Sequence, residues 1–338
     1  MLKIVIFLFC FLTSFLKAQT LGQDILNLVD DAVWYADKYV TPATDGAVYM
    51  ASSGWMVSPN KRKPWEFTLG IHNNLFLLPQ KDKNFQISNS DFKFFSIKNA
   101  TTAIVPSSIG DNTYVELIGT LHLGGTDTES IRTTTPEGVN QEVTYYAYIQ
   151  GALSLGYGTE VIAKYCPKIH LEHADFQVYG AGLQHNIDQY FPKLQKHKIN
   201  LAALVFYSYE ELENTFLTIK SDEVNFGINN ILGKIDTYQF QISASKEFKK
   251  FEFMGGMMLN ISDFKYYLDG EDGNIPFKFN ELTFKEYLNQ QMEKNYKTKT
   301  NFIGEVSCRY NLYKGLYAQS VFGFGKFING NFSVQYQF

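Results

Sequence analysis

The last eight residues of the chain, Asn331-Phe332-Ser333-Val334-Gln335-Tyr336-Gln337-Phe338, carry an apolar or aromatic side chain at every second position. A period of two is that of an extended strand, whose successive side chains point to opposite faces. One face therefore holds Phe332, Val334, Tyr336 and Phe338, and the other Asn331, Ser333, Gln335 and Gln337. An edge strand of a water-soluble sandwich is blunted with charge or proline rather than ended on an aromatic, so this strand is expected to face something apolar.

The same alternation recurs upstream. Phe302, Val306, Cys308, Tyr310 and Leu312 lie opposite Asn301, Glu305, Ser307, Arg309 and Asn311. Trp65, Phe67, Leu69, Ile71 and Leu75 lie opposite Glu66, Thr68, His72 and Asn74, and comparable runs start at Val143, Tyr238 and Phe251. Further strands are expected at Thr159 to Ile169, Phe176 to His185, Ile199 to Ser208 and Gly315 to Phe327. Many exceed the ~5–6 residues of an ordinary strand and approach the ~9–11 that a tilted strand needs to cross a bilayer. The chain has 338 residues, 45% hydrophobic, 16% aromatic and 19% charged, which excludes a disordered chain. After the first twenty residues no apolar run approaches the ~20 residues of a helical span, so a bundle of transmembrane helices is excluded too. The expectation is an all-β fold, an antiparallel transmembrane β-barrel.

A barrel with both ends on the periplasmic side has an even number of strands, with short periplasmic turns and longer outer loops. Counted back from Phe338, the turns at Tyr313-Lys314, Phe248-Lys249-Lys250 and Gly156-Tyr157-Gly158 fall on the periplasmic side, and Lys265 to Lys299 and Glu210 to Gly233 on the outer side. Ile328-Asn329-Gly330 reads as a tight hairpin where an outer loop is due. Ten strands are counted, with two more expected at Asp91 to Lys98 and Tyr114 to His122, for a total of about 10–14.

The N-terminus reads differently. Lys3, the apolar stretch Ile4 to Phe15 and Leu16-Lys17-Ala18 have the layout of a cleaved signal peptide over residues 1–18. Without it the chain holds 28 basic and 34 acidic residues, a balance against nucleic-acid binding. From Gly22 to Val40, Ile25, Leu28, Val29, Ala32, Val33 and Ala36 recur at helical spacing, an amphipathic helix expected to end at Thr41-Pro42. Residues 19–63 are read as this helix and a plug segment, and residues 64–338 as the barrel. Cys166 and Cys308 show no metal or disulfide spacing, although one bridge between them stays open.

The C-terminal pattern at Phe332, Val334, Tyr336 and Phe338 resembles the assembly signal of outer-membrane barrel proteins, which implies the barrel-assembly machinery and outer-membrane lipid as partners. Ala100 to Gly110 (ATTAIVPSSIG), Gly158 to Ile169 (GTEVIAKYCPKI), Gly180 to Pro192 (GAGLQHNIDQYFP) and Ser53-Gly54-Trp55 look like an uncharacterised domain-of-unknown-function family of Gram-negative outer-membrane proteins. In layout such proteins are distantly similar to the long-chain fatty-acid transporters, in which an N-terminal hatch plugs the barrel. The resemblance implies an outer-membrane location and a plugged topology; it implies no catalytic residue.

The sequence shows little chemistry. The glycine pairs lack a phosphate-loop third glycine, and His170-Leu171-Glu172-His173 is not a metalloprotease spacing. Asp269, Glu271 and Asp272 lack the EF-hand order and read as a solvated loop. Neither a metal nor a cofactor is expected. Glu66, His72, Glu305 and Arg309 fall on inward faces, where a polar lumen accounts for them, and no nucleophile has a recognisable base. The expectation is a non-enzymatic channel or transporter for a small molecule, a hydrophobic ligand among the candidates. The alternatives are a structural or assembly partner using the aromatic loop Lys265 to Lys299, and a lipid-acting enzyme using His72, His185 or Ser307.

Overall fold

In a computed structural model the chain is described over residues 2–124, 127–140, 143–170, 174–215, 225, 227–271, 273 and 281–338, with backbone alone at 2–20, 123 and 124. Helix α1 (Leu2–Ser52) leads through an irregular segment into β1 (Phe67–Leu77). Residues 78–142 then carry β2 (Asn84–Ser88), β3 (Ser96–Ile97), β4 (Thr102–Pro106), β5 (Glu116–Gly124) and β6 (Asp127–Thr134). There follow β7 (Val143–Gly156), β8 (Thr159–His170), β9 (Ala174–Asn186), α2 (Pro192–Lys196), β10 (Ile199–Thr215), β11 (Asn230–Phe248) and β12 (Phe251–Asp269). Helix α3 (Phe284–Met292), β13 (Lys297–Tyr313), β14 (Leu316–Phe324) and β15 (Ile328–Gln337) complete the chain.

Ten strands, β1 and β7 to β15, form a closed antiparallel barrel. β1 closes it by pairing with β15 (Thr68 opposite Gln337) and with β7 (Phe67 opposite Leu153). Closure leaves no strand edge unpaired. The turns Tyr157-Gly158 and Lys314-Gly315 have positive φ at both residues, the backbone that lets a two-residue hairpin follow the twist of its strands.

Polarity along the strands locates the membrane. In β11, Tyr238, Phe240 and Ile242 are exposed on the outer face, while Gln239, Gln241 and Ser243 are buried inside. Nearer its start the pattern inverts: Ile231 and Ile235 point inward, and Lys234 and Asp236 outward. The stretch from Tyr238 to Phe248 matches the ~9–11 residues of a bilayer-crossing strand, and the remainder of β11 stands beyond the lipid. Exposed Leu69, Ile71, Leu183, Met257, Phe302 and Val334 continue the apolar belt around the barrel. This is an outer-membrane β-barrel fold.

Several expectations are corrected. The stretches near 91–98 and 114–122 do contain strands, β3 and β5, but β3, β5 and β6 form a separate three-stranded sheet and β2 with β4 a two-stranded one. Alternation specifies a strand and says nothing of its partner, so the barrel count stays at ten. The hairpin read at 328–330 lies at 325–327, because Asn329 turns inward and donates to Tyr49 O (3.1 Å), keeping Asn329-Gly330 in β15. The expected outer loops are invaded from both sides, since β10 runs to Thr215, β11 begins at Asn230, β12 runs to Asp269 and β13 begins at Lys297. Helix α1 does not end at Thr41-Pro42 but runs through Pro42 to Ser52, where Ala43, Gly46, Ala47 and Ala51 make it slender enough to enter the barrel. The bridge left open between Cys166 and Cys308 does not form, and both are free.

The direction of α1 follows from its contacts. Asp31 accepts backbone N–H bonds from Lys93 (2.7 Å), Phe94 (2.8 Å) and Phe95 (2.9 Å) in the cap formed by residues 78–142. Asp45 pairs with Lys299 (2.5 Å) and Lys326 (2.6 Å) at the long-loop rim, and Lys61 donates to Gln189 (2.9 Å) at the short-turn rim. With short turns facing the periplasm, the chain threads the lumen from outside inward. Cysteine introduced for exposed Gln23 or Lys38 should react with a membrane-impermeant maleimide on intact cells, and cysteine for Lys61 only after the outer membrane is breached. The reverse pattern would overturn this orientation.

Candidate functional site

Residues 43–59 are buried without interruption and fill the barrel lumen. The end of α1 and the non-helical residues after Ser52 leave buried carbonyls that the segment itself does not satisfy, Ala51 O taking one bond from Trp55 Nε1 (2.8 Å), and an unpaired buried carbonyl costs about 1–3 kcal/mol. The barrel wall supplies the donors. Asn74 (2.8 Å) and Tyr146 (2.6 Å) reach Met50 O, Gln150 reaches Trp55 O (2.9 Å), and Gln319 reaches Val57 O (3.1 Å). Below them Gln184 reaches Ser58 O (2.8 Å) and Asn186 reaches Pro59 O (2.8 Å).

The charged centre of this contact is Lys164 on β8. Its Nζ donates to Ala51 O (2.9 Å) and Ser53 O (2.8 Å), capping the C-terminal end of α1, where a cation is favoured. It lies 4.6 Å from the Trp55 ring centroid and 4.4 Å from that of Tyr148, over both faces. Across the lumen Glu305 accepts the Gly54 N–H (3.1 Å). Gly54 has φ +73°, and a Cβ there would lie 2.7 Å from the Tyr148 hydroxyl, so neither its backbone nor its surroundings accept a side chain. Trp55 is fully buried and stacks on Phe206 at 3.9 Å.

Of the inward residues expected from sequence, His72 is buried, stacks on Tyr148 at 4.8 Å and bonds Asn331 through Nδ1 (3.3 Å). Glu305 holds the plug as described, and Arg309 pairs with Glu252 (3.5 Å) and stacks over Tyr317. Glu66 sits half-buried at the periplasmic rim and accepts the Lys63 N–H (3.1 Å). Lys164 and the buried pair Arg62–Glu160 (3.3 Å) were not singled out by sequence. The strand phase carried the signal for two of them, since Glu160 and Lys164 alternate with outward Val161, Ala163 and Tyr165.

The groups weighed for chemistry are dispersed. His185 bonds Thr159 (2.8 Å), Ser307 accepts from Gln319 (3.1 Å) and His170 bonds Asp175 (2.7 Å). Glu172, His173 and Asp272 lie outside the described residues. Among the described residues no three His, Cys, Asp or Glu side chains gather as metal ligands would.

The apolar face of the N-terminal helix, Ile25, Leu28, Val29, Ala32, Val33 and Ala36, lies in the cap above the barrel mouth rather than in the lumen. There it borders an apolar cavity of about 90 Å³, open on one side and lined by Phe92, Phe95 and Leu117 of the cap, Ile231 and Leu268 of the long strands, and Phe284 and Leu288 of α3. A second void of about 40 Å³ follows along α1 beside Ala43, Ala47 and Met50.

A single family pattern spans this whole arrangement, residues 1–338. The chain belongs to the family of unknown function DUF6588. No curated protein matches this DUF6588 chain. Among solved structures it is similar to Ail, the attachment invasion locus protein of Yersinia pestis, at 7% identity over 81% of this chain and 99% of that one, with a TM-score of 0.25. It is similar to the translocator domain of autotransporter NalP from Neisseria meningitidis at 10% identity, over 90% and 99% of the two chains, with a TM-score of 0.35. A Pseudomonas aeruginosa FadL homologue matches at 9% identity over 82% and 66%, with a TM-score of 0.30.

Two predictions follow from the plug contact. Lys164→Met removes the charged donor from two carbonyls, leaving Ala51 O only Trp55 Nε1 (2.8 Å) and Ser53 O only the Tyr148 hydroxyl (3.3 Å), so in planar bilayers it should conduct in frequent bursts where the wild type is closed; a variant as silent as the wild type would remove Lys164 from the role of clamp. Gly54→Ala should lower the thermal stability of the folded barrel, by about 1–2 kcal/mol for the left-handed backbone alone, read as a drop in the temperature at which the heat-modified gel band appears.

Proposed function

We propose that this chain is a transport protein of the Gram-negative outer membrane, exported with cleavage after Ala18 and carrying a small hydrophobic molecule rather than catalysing a reaction. The supporting observation is the apolar cavity at the outer mouth, lined by α1, the cap and α3. A soluble ligand reaches it from the outside, and burial of its apolar surface contributes about 25 cal/mol per Å². The second void along α1 continues the path toward the lumen. The plug below is bound largely through hydrogen bonds and ion pairs, which exchange for water far more readily than a packed apolar core, with one apolar seat for Trp55 and Met56 against Ile162, Leu204 and Phe206, so passage follows from displacement of residues 53–63.

The barrel-assembly machinery is the partner that inserts the chain, through the outward aromatic row Phe332, Val334, Tyr336 and Phe338. The loop holding α3 serves the cavity in this reading: Phe284, Leu288 and Met292 are buried against the cap and α1.

The test is entry of N-phenylnaphthylamine, a small apolar dye, into proteoliposomes containing the mature chain. Ala32→Trp, which fills the cavity from α1, should slow entry at least tenfold while heat-modifiability stays unchanged. Equal rates for variant and wild type, or no entry above protein-free vesicles, would overturn the proposal.

A further inference from the structure

The surface of the cavity at the outer mouth is almost wholly apolar, and two buried polar residues in its wall, Tyr35 and Asp31, define a ligand class. Tyr35 projects from α1 into its wall; the residue is 8% exposed, and its hydroxyl has no hydrogen-bond partner. Thr135 stands beside it: its hydroxyl accepts the Val115 N–H (2.9 Å) and keeps its own proton to offer the Tyr35 oxygen, which leaves the Tyr35 O–H as the donor without an acceptor. A buried phenol without a partner costs about 1–3 kcal/mol, a cost that a ligand acceptor would remove. Burial raises the Tyr35 phenol well above its ordinary range, so it remains a neutral donor.

The second polar group is Asp31, 2% exposed and one turn of α1 before Tyr35. Its carboxylate is taken up by the three cap N–H groups of Lys93, Phe94 and Phe95, which stabilise the charged form against the burial that raises its pKa. Among the described lining residues there is no Lys, Arg or His. The nearby cations are engaged elsewhere: Lys93 pairs with Asp30 (2.6 Å), and Lys297 with Asp37 (2.5 Å). An anionic headgroup entering here would meet Asp31 and no counter-charge, and a buried unpaired charge is strongly disfavoured.

The geometry points to a neutral amphiphile as the ligand of this cavity: an alkyl or ring body against Leu28, Ala32, Phe95 and Leu288, with one hydroxyl, carbonyl or ester oxygen accepting from the Tyr35 hydroxyl, and with carboxylates rejected. The volume of about 90 Å³ is several times the ~10–15 Å³ that one water needs and suits a body of a few carbons, with a longer tail emerging at the open side. This inference rests on the transport reading of the same cavity and adds the charge and headgroup of the cargo.

The test compares 1-octanol with octanoate at neutral pH by titration calorimetry on the mature chain held in an amphipathic polymer, with the empty polymer as control. The expected result is at least tenfold tighter binding of octanol. Tyr35→Phe should weaken octanol severalfold with an unchanged heat-modified gel shift, and Asp31→Asn, where it keeps that shift, should let octanoate bind. Octanoate binding as tightly as octanol, or Tyr35→Phe binding octanol as the wild type does, would overturn this inference while leaving the transport reading intact. Binding of neither compound, nor of N-phenylnaphthylamine, would overturn both.

Discussion

The lumen of this barrel holds the last turn of α1 and a stretch of backbone without secondary structure after it, and their carbonyls must find donors in the wall. Eight carbonyls between Tyr49 and Pro59 accept bonds from Asn, Gln, Tyr or Lys side chains of the barrel. Irregular backbone at membrane depth is tolerated only where protein or water satisfies it. At about 1–3 kcal/mol for each unmet group, the whole set is of the order of 10 kcal/mol, comparable with the total stability of a typical domain. The abundance of Asn, Gln and Ser on the inward faces has its explanation here. These side chains read the plug's backbone, so the barrel and its plug form one structure.

Polar contact makes most of the plug exchangeable with water, the apolar seat of Trp55 and Met56 apart. A close-packed apolar interior resists opening because water cannot replace its contacts. The carbonyl–amide bonds below Ser52 exchange with water at a net cost of about 1 kcal/mol each. Lys164 and Glu305 concentrate the hold at one level, on either side of Gly54, where α1 ends and the irregular segment begins. Just past that level Trp55 and Met56 pack on Leu204 and Phe206, and above it the same chain serves as a helix facing a greasy cavity.

The change of character along α1 mirrors the change along β11 and β12. Where the strands cross lipid they are apolar outside and polar inside; where they rise above it, Ile231, Ile235, Phe264 and Leu268 turn inward and charged side chains outward. The medium sets both patterns. Lipid rewards an apolar exterior, and above the lipid water rewards a polar one and drives the apolar side chains into a common core with α1, the cap and α3. A single strand of nineteen residues therefore belongs to two environments.

Strands that cross lipid were legible in the sequence because their period-two pattern is imposed locally by the medium on each strand, whatever its neighbours. That is why all ten barrel strands, the aromatic end at Phe338 and the inward placement of His72, Glu305 and Arg309 could be read from residue order. The amphipathic helix was legible for the same reason, although its end was not: Pro42 usually stops a helix, and only the lumen, which buries Ala43 to Ser52 on every side, sustains it. Which sheet β3 and β5 join, the direction in which α1 threads the barrel, and the meeting of Lys164 with Ala51 O and Ser53 O were decided by tertiary structure alone. The Lys164 contact joins residues 113 and 111 positions apart through hydrogen bonds to backbone carbonyls, and a carbonyl is the same in every residue, so the residue order holds no mark of which one will be met.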